Sequence, residues 1–139
     1  MITMIELSQA ATSTAGVAIL AAVTVTSGGY FLVKVVSGTV PATPFQTAFF
    51  RAGHAHAGVL IVFGLVCLLL TEATALAGFW RWLAGTGVLV AAIAMPAGFF
   101  FSAMGKGRER PSRWIAILYL GAASLIAGLV TLGIGLLLT

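Results

Sequence analysis

The chain has 139 residues, 60% of them hydrophobic and only 7% charged, with a mean hydropathy of +1.14. A soluble domain of this length would have to cover itself with apolar side chains, so the composition places the protein in lipid. Aspartate is missing, and the three glutamates, Glu6, Glu72 and Glu109, fall at the terminus or between apolar stretches. That leaves no basis for paired-carboxylate hydrolysis, two-metal catalysis, a Ser-His-Asp triad or a carboxylate proton relay across a bilayer.

The first apolar stretch covers residues 10–36. It lacks a basic leader, carries Glu6 ahead of it and is too long for the apolar region of a signal peptide, so it reads as a retained helix. Pro41 and Pro44 cannot continue that helix and predict a loop over residues 37–45, with 45–50 leading into the next element. The second stretch, 49–70, holds both histidines and the lone Cys67. This thiol has no partner for an internal disulfide and reads as a small hydrophobe in packing. Residues 71–79 make a soft break before the third stretch, 82–104, in which Met95-Pro96 predicts a kink. Residues 105–113 form a hydrated basic loop, and the last stretch, 114–138, carries Gly121, Ser124 and Gly128 as a small-residue strip for close helix association within or between subunits. At about 1.5 Å per residue each stretch reaches the roughly 30 Å of a bilayer core. The predicted fold is therefore all-α and integral to the membrane: one four-helix transmembrane bundle, a single domain over residues 1–139.

Charge gives the expected orientation. Lys34, Arg51, Lys106, Arg108, Arg110 and Arg113 lie in or beside the loops after the first and third helices, whereas the opposite side has only Arg81 and the amino terminus. Basic loops stay on the cytoplasmic side of a plasma membrane, so both termini are expected outside, with Trp80, Trp82 and Trp114 as anchors at headgroup level. The isoelectric point near 10.0 expresses this asymmetry. Membrane lipid is the expected partner, and a nucleic acid is not.

The chemistry concentrates in Arg51-Ala-Gly-His-Ala-His-Ala-Gly58. Imidazoles are good transition-metal ligands and costly guests in lipid, which points to a metal or haem site. Residues two apart on a helix diverge by about 200°, so His54 and His56 cannot both grip one metal unless the helix is irregular. One ligand and one other role is the expectation. His56 shares a face with Gly53, Leu60, Phe63 and Cys67, an apolar wall for a flat macrocycle. His54 lies with Gly58, Ile61 and Leu65 and can face a neighbouring helix, a second subunit or the interface. Gly53, Ala57 and Gly58 permit close approach of a backbone or a flat ligand. Arg51, at the water-side edge, reads as a snorkelling interface residue or as the partner of a haem propionate.

The segment Phe50-Arg-Ala-Gly-His-Ala-His-Ala-Gly-Val-Leu60 resembles the second helix of the styrene oxide isomerase family, small four-helix membrane proteins with an Arg-Ala-His-Ser-Gly type motif. A fainter likeness is Gly98-Phe-Phe-Phe-Ser102, similar to the family's Gly-Phe-Tyr-Leu-Phe-Ser stretch. The specific part is about ten residues long, and His-Ala-His occurs also in relatives of haem-copper oxidases. The resemblance implies haem b held by His56 as the axial ligand in a homotrimer, with ferric iron acting as a Lewis acid on a small apolar epoxide and no net redox change. Phe63, Val62, Met95, Phe99 and Phe100, together with Phe101, are then the expected apolar surroundings of the substrate. The chain departs from the family where an asparagine and a tyrosine flank the substrate: Val62 and Phe100 stand there. The resemblance thus carries haem binding further than isomerase chemistry. A non-enzymatic haem protein for electron transfer, sensing or haem handling is a second reading. A cofactor-free structural protein whose histidines bond to backbone or headgroups is a third.

Overall fold

Every predicted span is a helix in the computed structural model, which describes residues 6–139. The helices are α1 (Gln9–Val36), α2 (Pro44–Thr71), α3 (Gly78–Ala103) and α4 (Ile115–Leu137), and each is long and apolar enough to cross a membrane. They run up and down as a four-helix bundle, with no strand among the described residues.

Two helices start earlier than their apolar runs suggest. α2 begins at Pro44, where a missing N–H costs nothing, and Thr43 and Gln46 cap it reciprocally: Thr43 Oγ1 accepts from Gln46 N and Gln46 Oε1 accepts from Thr43 N. The loop is therefore only residues 37–43, and Phe45, Phe49 and Phe50 belong to the helix. α3 starts at Gly78 rather than at residue 82, which brings Trp80 and Arg81 into its first turn.

α3 is the central helix, packed on α2 and α4, while α1 lies outermost against α2. The α3–α4 seam is made of small residues. A Cβ on Gly87 would lie 2.9 Å from Gly128 Cα, and one on Gly121 would lie 2.7 Å from Met95 Cγ. Ser124 Oγ donates to Gly87 O at 2.9 Å across the same seam. The Gly121–Ser124–Gly128 strip thus joins helices within one chain, using the backbone approach that replaces hydrophobic driving force in lipid. Cys67 is buried in the core with Ala84, Val88 and Ala91, as a small packing residue. A second, aromatic cluster sits at the basic end, where Phe50 stacks on Phe100 at 5.4 Å and meets Phe31 edge-on at 5.2 Å.

A polar staple closes each end. At one, Glu72 accepts from Arg81 Nη2 at 2.6 Å and from Ser8 N at 2.9 Å, tying the start of α1 to the end of α2 and the start of α3. The Glu72 side chain is 7% exposed and that of Arg81 34%. Glu72→Gln leaves the arginine without its counter-charge and is expected to destabilise the protein by about 2–3 kcal/mol, less than the ~3–5 of a fully buried pair because Arg81 still meets solvent. Thermal unfolding in detergent reads this, and a double variant with Arg81→Gln should cost less than the two single changes added.

At the other end the buried Gln46 donates through Nε2 to Ala103 O at 2.9 Å and Gly105 O at 2.7 Å, while Thr43 Oγ1 donates to Arg108 O. The loops after α1 and α3 therefore meet at one end, which also holds Lys34 and the four basic residues of 106–113. Gln46→Ala strands two carbonyls and breaks the cap, for an expected loss of about 1–3 kcal/mol measurable in the same unfolding experiment.

Candidate functional site

On a helix the two histidines must diverge, and they do. α2 buries Gln46, Phe50, Gly53, Leu60, Gly64 and Cys67 along one stripe, and His54 and His56 flank that stripe on opposite sides. Both are half-buried. No group of three or more His, Cys, Asp or Glu side chains able to hold a metal occurs among the described residues, so any iron here would depend on one or two imidazoles and a macrocycle.

His56 turns toward α3, its ring 5.0 Å from that of Phe99. Its Nδ1 lies 2.7 Å from the carbonyl oxygen of Ala52, one turn earlier. A carbonyl can only accept, so Nδ1 must carry the proton, and in the neutral ring this leaves the lone pair on Nε2. Nε2 has no protein partner among the described residues. An imidazole held through Nδ1–H on a backbone carbonyl, with Nε2 free, is the usual posture of a metal-binding histidine.

His54 turns toward α1 and packs on a glycine pair. A Cβ at Gly28 would sit 3.1 Å from His54 Nδ1, and one at Gly29 3.5 Å from Cε1. Around it two shallow hollows open between α1 and α2. One, of about 400 Å³, includes Ala22, Val25, Gly29, Gly58 and Ile61, and the other, of about 680 Å³, runs over Ala55, Gly58, Val62 and Phe63. Both are lined almost wholly by apolar side chains. The small residues of Ser27-Gly-Gly29 permit this close approach, but nothing in the sequence pairs them with His54, 26 residues beyond Gly28.

The remaining residues of the expected site are distributed between these two sides. Gly53 is covered by α3, since a Cβ there would lie 2.9 Å from the Phe100 ring. The wall of Gly53, Leu60 and Cys67 is thus filled by the chain's own helix and is not open to a macrocycle. Ala57 lines a separate cleft between α1 and α3, and of the two glycines only Gly58 has open space beside it. Arg51 is exposed and sits on the outer stripe of α2 with Ala55, Gly58 and Val62, about 60° from His54 but about 140° from His56. Among the expected substrate contacts, Phe99 meets His56, Val62 and Phe63 line the same broad hollow as His54 with Phe63 toward its far edge, and Phe100 lies in the aromatic cluster against Phe31 and Phe50. Met95 is buried against Gly121 of α4, and Phe101 faces outward at the basic end. In one chain these side chains are divided among different neighbours: Phe99 lies against Phe49 and His56, and Met95 against Gly121.

Comparisons with protein families, with curated proteins and with solved structures found no match to this chain.

Proposed function

We propose that this integral membrane protein binds haem b, which His56 would hold through Nε2. The observation that carries the reading is the Nδ1–Ala52 hydrogen bond, which fixes the ring and its tautomer and leaves Nε2 as a donor in an apolar setting beside Phe99. The residues present fit the group on one side only: a half-buried imidazole and an aromatic neighbour make one wall. A second copy of the chain would cover the other, which is the basis for expecting a homo-oligomer, a trimer if the likeness to styrene oxide isomerases extends to assembly. Arg51, turned well away from His56 on its own helix, would then reach a propionate bound by the neighbouring copy. The basic end is assigned to the cytoplasmic side of the plasma membrane and both termini to the outside.

When bound, ferric haem supplies a Lewis acid suited to the oxygen of a small apolar epoxide. The chain's part in such an isomerisation is to orient the ligand nitrogen and keep water out. Phe99 and the aliphatic face of α2 do the latter; Glu6 and Glu72 lie toward the opposite end of the bundle, and Glu109 stands in the basic loop. A second reading, a haem protein without catalysis, is favoured by His54: it lines open hollows beside Gly58, one turn from Arg51, and is free to supply another ligand to a neighbouring copy. The test is to incubate the hemin-loaded protein with an aryl epoxide and no reductant. Aldehyde formed catalytically, at more than about ten turnovers per haem, supports the isomerase; retained haem with no aldehyde supports the second reading.

A further inference from the structure

The basic loop after α3 is built rather than merely charged. Ser112 N donates to Ser102 O at 2.9 Å, and Thr43, the cap residue of α2, holds the carbonyl of Arg108. Gly105 and Gly107 take φ of 118° and 64°, left-handed values that fold the loop back on the helix ends. The result is a concavity of about 600 Å³ lined by Phe101, Met104, Arg108, Ser112, Arg113 and Trp114.

Its two halves differ in chemistry. Arg108 uses Nε on Met104 O at 2.8 Å, and its two terminal amino groups have no protein acceptor among the described residues. The Arg113 guanidinium lies over the Trp114 ring at 5.8 Å and likewise has no carboxylate. The one ion pair among the described residues is the distant Arg81–Glu72, and Glu109 does not line the hollow. Phe101, Met104 and Trp114, each about half exposed at 48%, 56% and 52%, form the apolar half on the side of the helices.

We propose that this hollow binds an anionic phospholipid, with its phosphate between Arg108 and Arg113 and its acyl chains against Phe101, Met104 and Trp114. Two unpaired guanidinium groups at the membrane surface match a phosphate, which accepts forked donors. The apolar half selects a phosphate that carries hydrocarbon over a free one. The site is independent of the histidines, so it stands or falls separately from haem binding.

Trp114 reports on it directly, because Trp80 and Trp82 lie at the opposite end. In a full-length Trp80→Phe/Trp82→Phe protein in mixed micelles, phosphatidylglycerol with brominated chains is expected to quench Trp114 at about a tenfold lower lipid fraction than brominated phosphatidylcholine. Arg108→Gln/Arg113→Gln should bring the two lipids to parity, while Lys106→Gln/Arg110→Gln should keep the preference. Equal quenching by both lipids in the parent would overturn the proposal without any arginine variant having to fold. So would a preference lost equally with Lys106 and Arg110, which would mean a diffuse field, or one abolished by millimolar inorganic phosphate, which would assign the hollow to a soluble anion.

Discussion

Replacing His56 with alanine is expected to remove the Soret band of the hemin-loaded protein, while His54→Ala keeps most of it. The difference follows from what each ring is doing. His56 is anchored through Nδ1 and presents Nε2, so its loss would remove the proposed ligand of the iron. The contacts of His54 are steric, against Gly28 and Gly29, and its removal opens space without touching the ligand. An affinity loss of at least about 100-fold is expected for His56→Ala, since disturbing even a ligand's supporting hydrogen bond costs about 10–100-fold. Millimolar imidazole should restore part of the band by occupying the vacated volume. If His54 supplies a sixth ligand, His54→Ala changes the band's position and spin state rather than its presence. Hemin titration followed by absorption separates these outcomes.

Gly98→Val is expected to be the most damaging single change in the bundle. A Cβ on Gly98 would run into the backbone and side chain of Leu118 on α4, and backbone cannot step aside as a flexible side-chain tip can. Overpacking costs about 1–3 kcal/mol and more where nothing yields, so this variant should fall at or beyond the top of that range and fail to give a folded species in detergent. Gly98→Ala should still lose stability. Gly16→Ala and Gly133→Ala make the control, because nothing lies within 4 Å of a Cβ at either. There the ordinary helix preference for alanine applies, and a gain of roughly 0.5–1 kcal/mol is expected in water-like environments, less in lipid. Thermal unfolding of the four proteins measures the contrast. Equal losses at Gly98 and Gly133 would show that the seam is not where the tight packing lies.

Four spans were legible from composition because lipid leaves the sequence little freedom: about twenty apolar residues between polar breaks is a physical requirement. The start of α2 was misplaced since hydropathy marks the apolar part of a helix, whereas its cap lies in polar residues; α3 starts early at Gly78 with Ala77 as its cap residue and no side-chain cap bond. Thr43-Pro-Phe-Gln46 did carry the capping-box spacing with proline at the first helical position, so that boundary was available in principle. The divergence of His54 and His56 was readable from helical geometry alone. That α3 fills the wall beneath Gly53, that Met95 turns to α4, and that Ser8 finds Glu72 across 64 residues depend on how helices pack against one another, which local pattern does not encode.

The most direct measurement is the absorption spectrum of the detergent-purified protein, oxidised and reduced, before and after one equivalent of hemin. A Soret band that saturates at one haem per chain and shifts on reduction is the predicted result. A protein that stays colourless, with hemin eluting free, would contradict haem binding and leave His56 as a packing residue bonded to the backbone of its own helix.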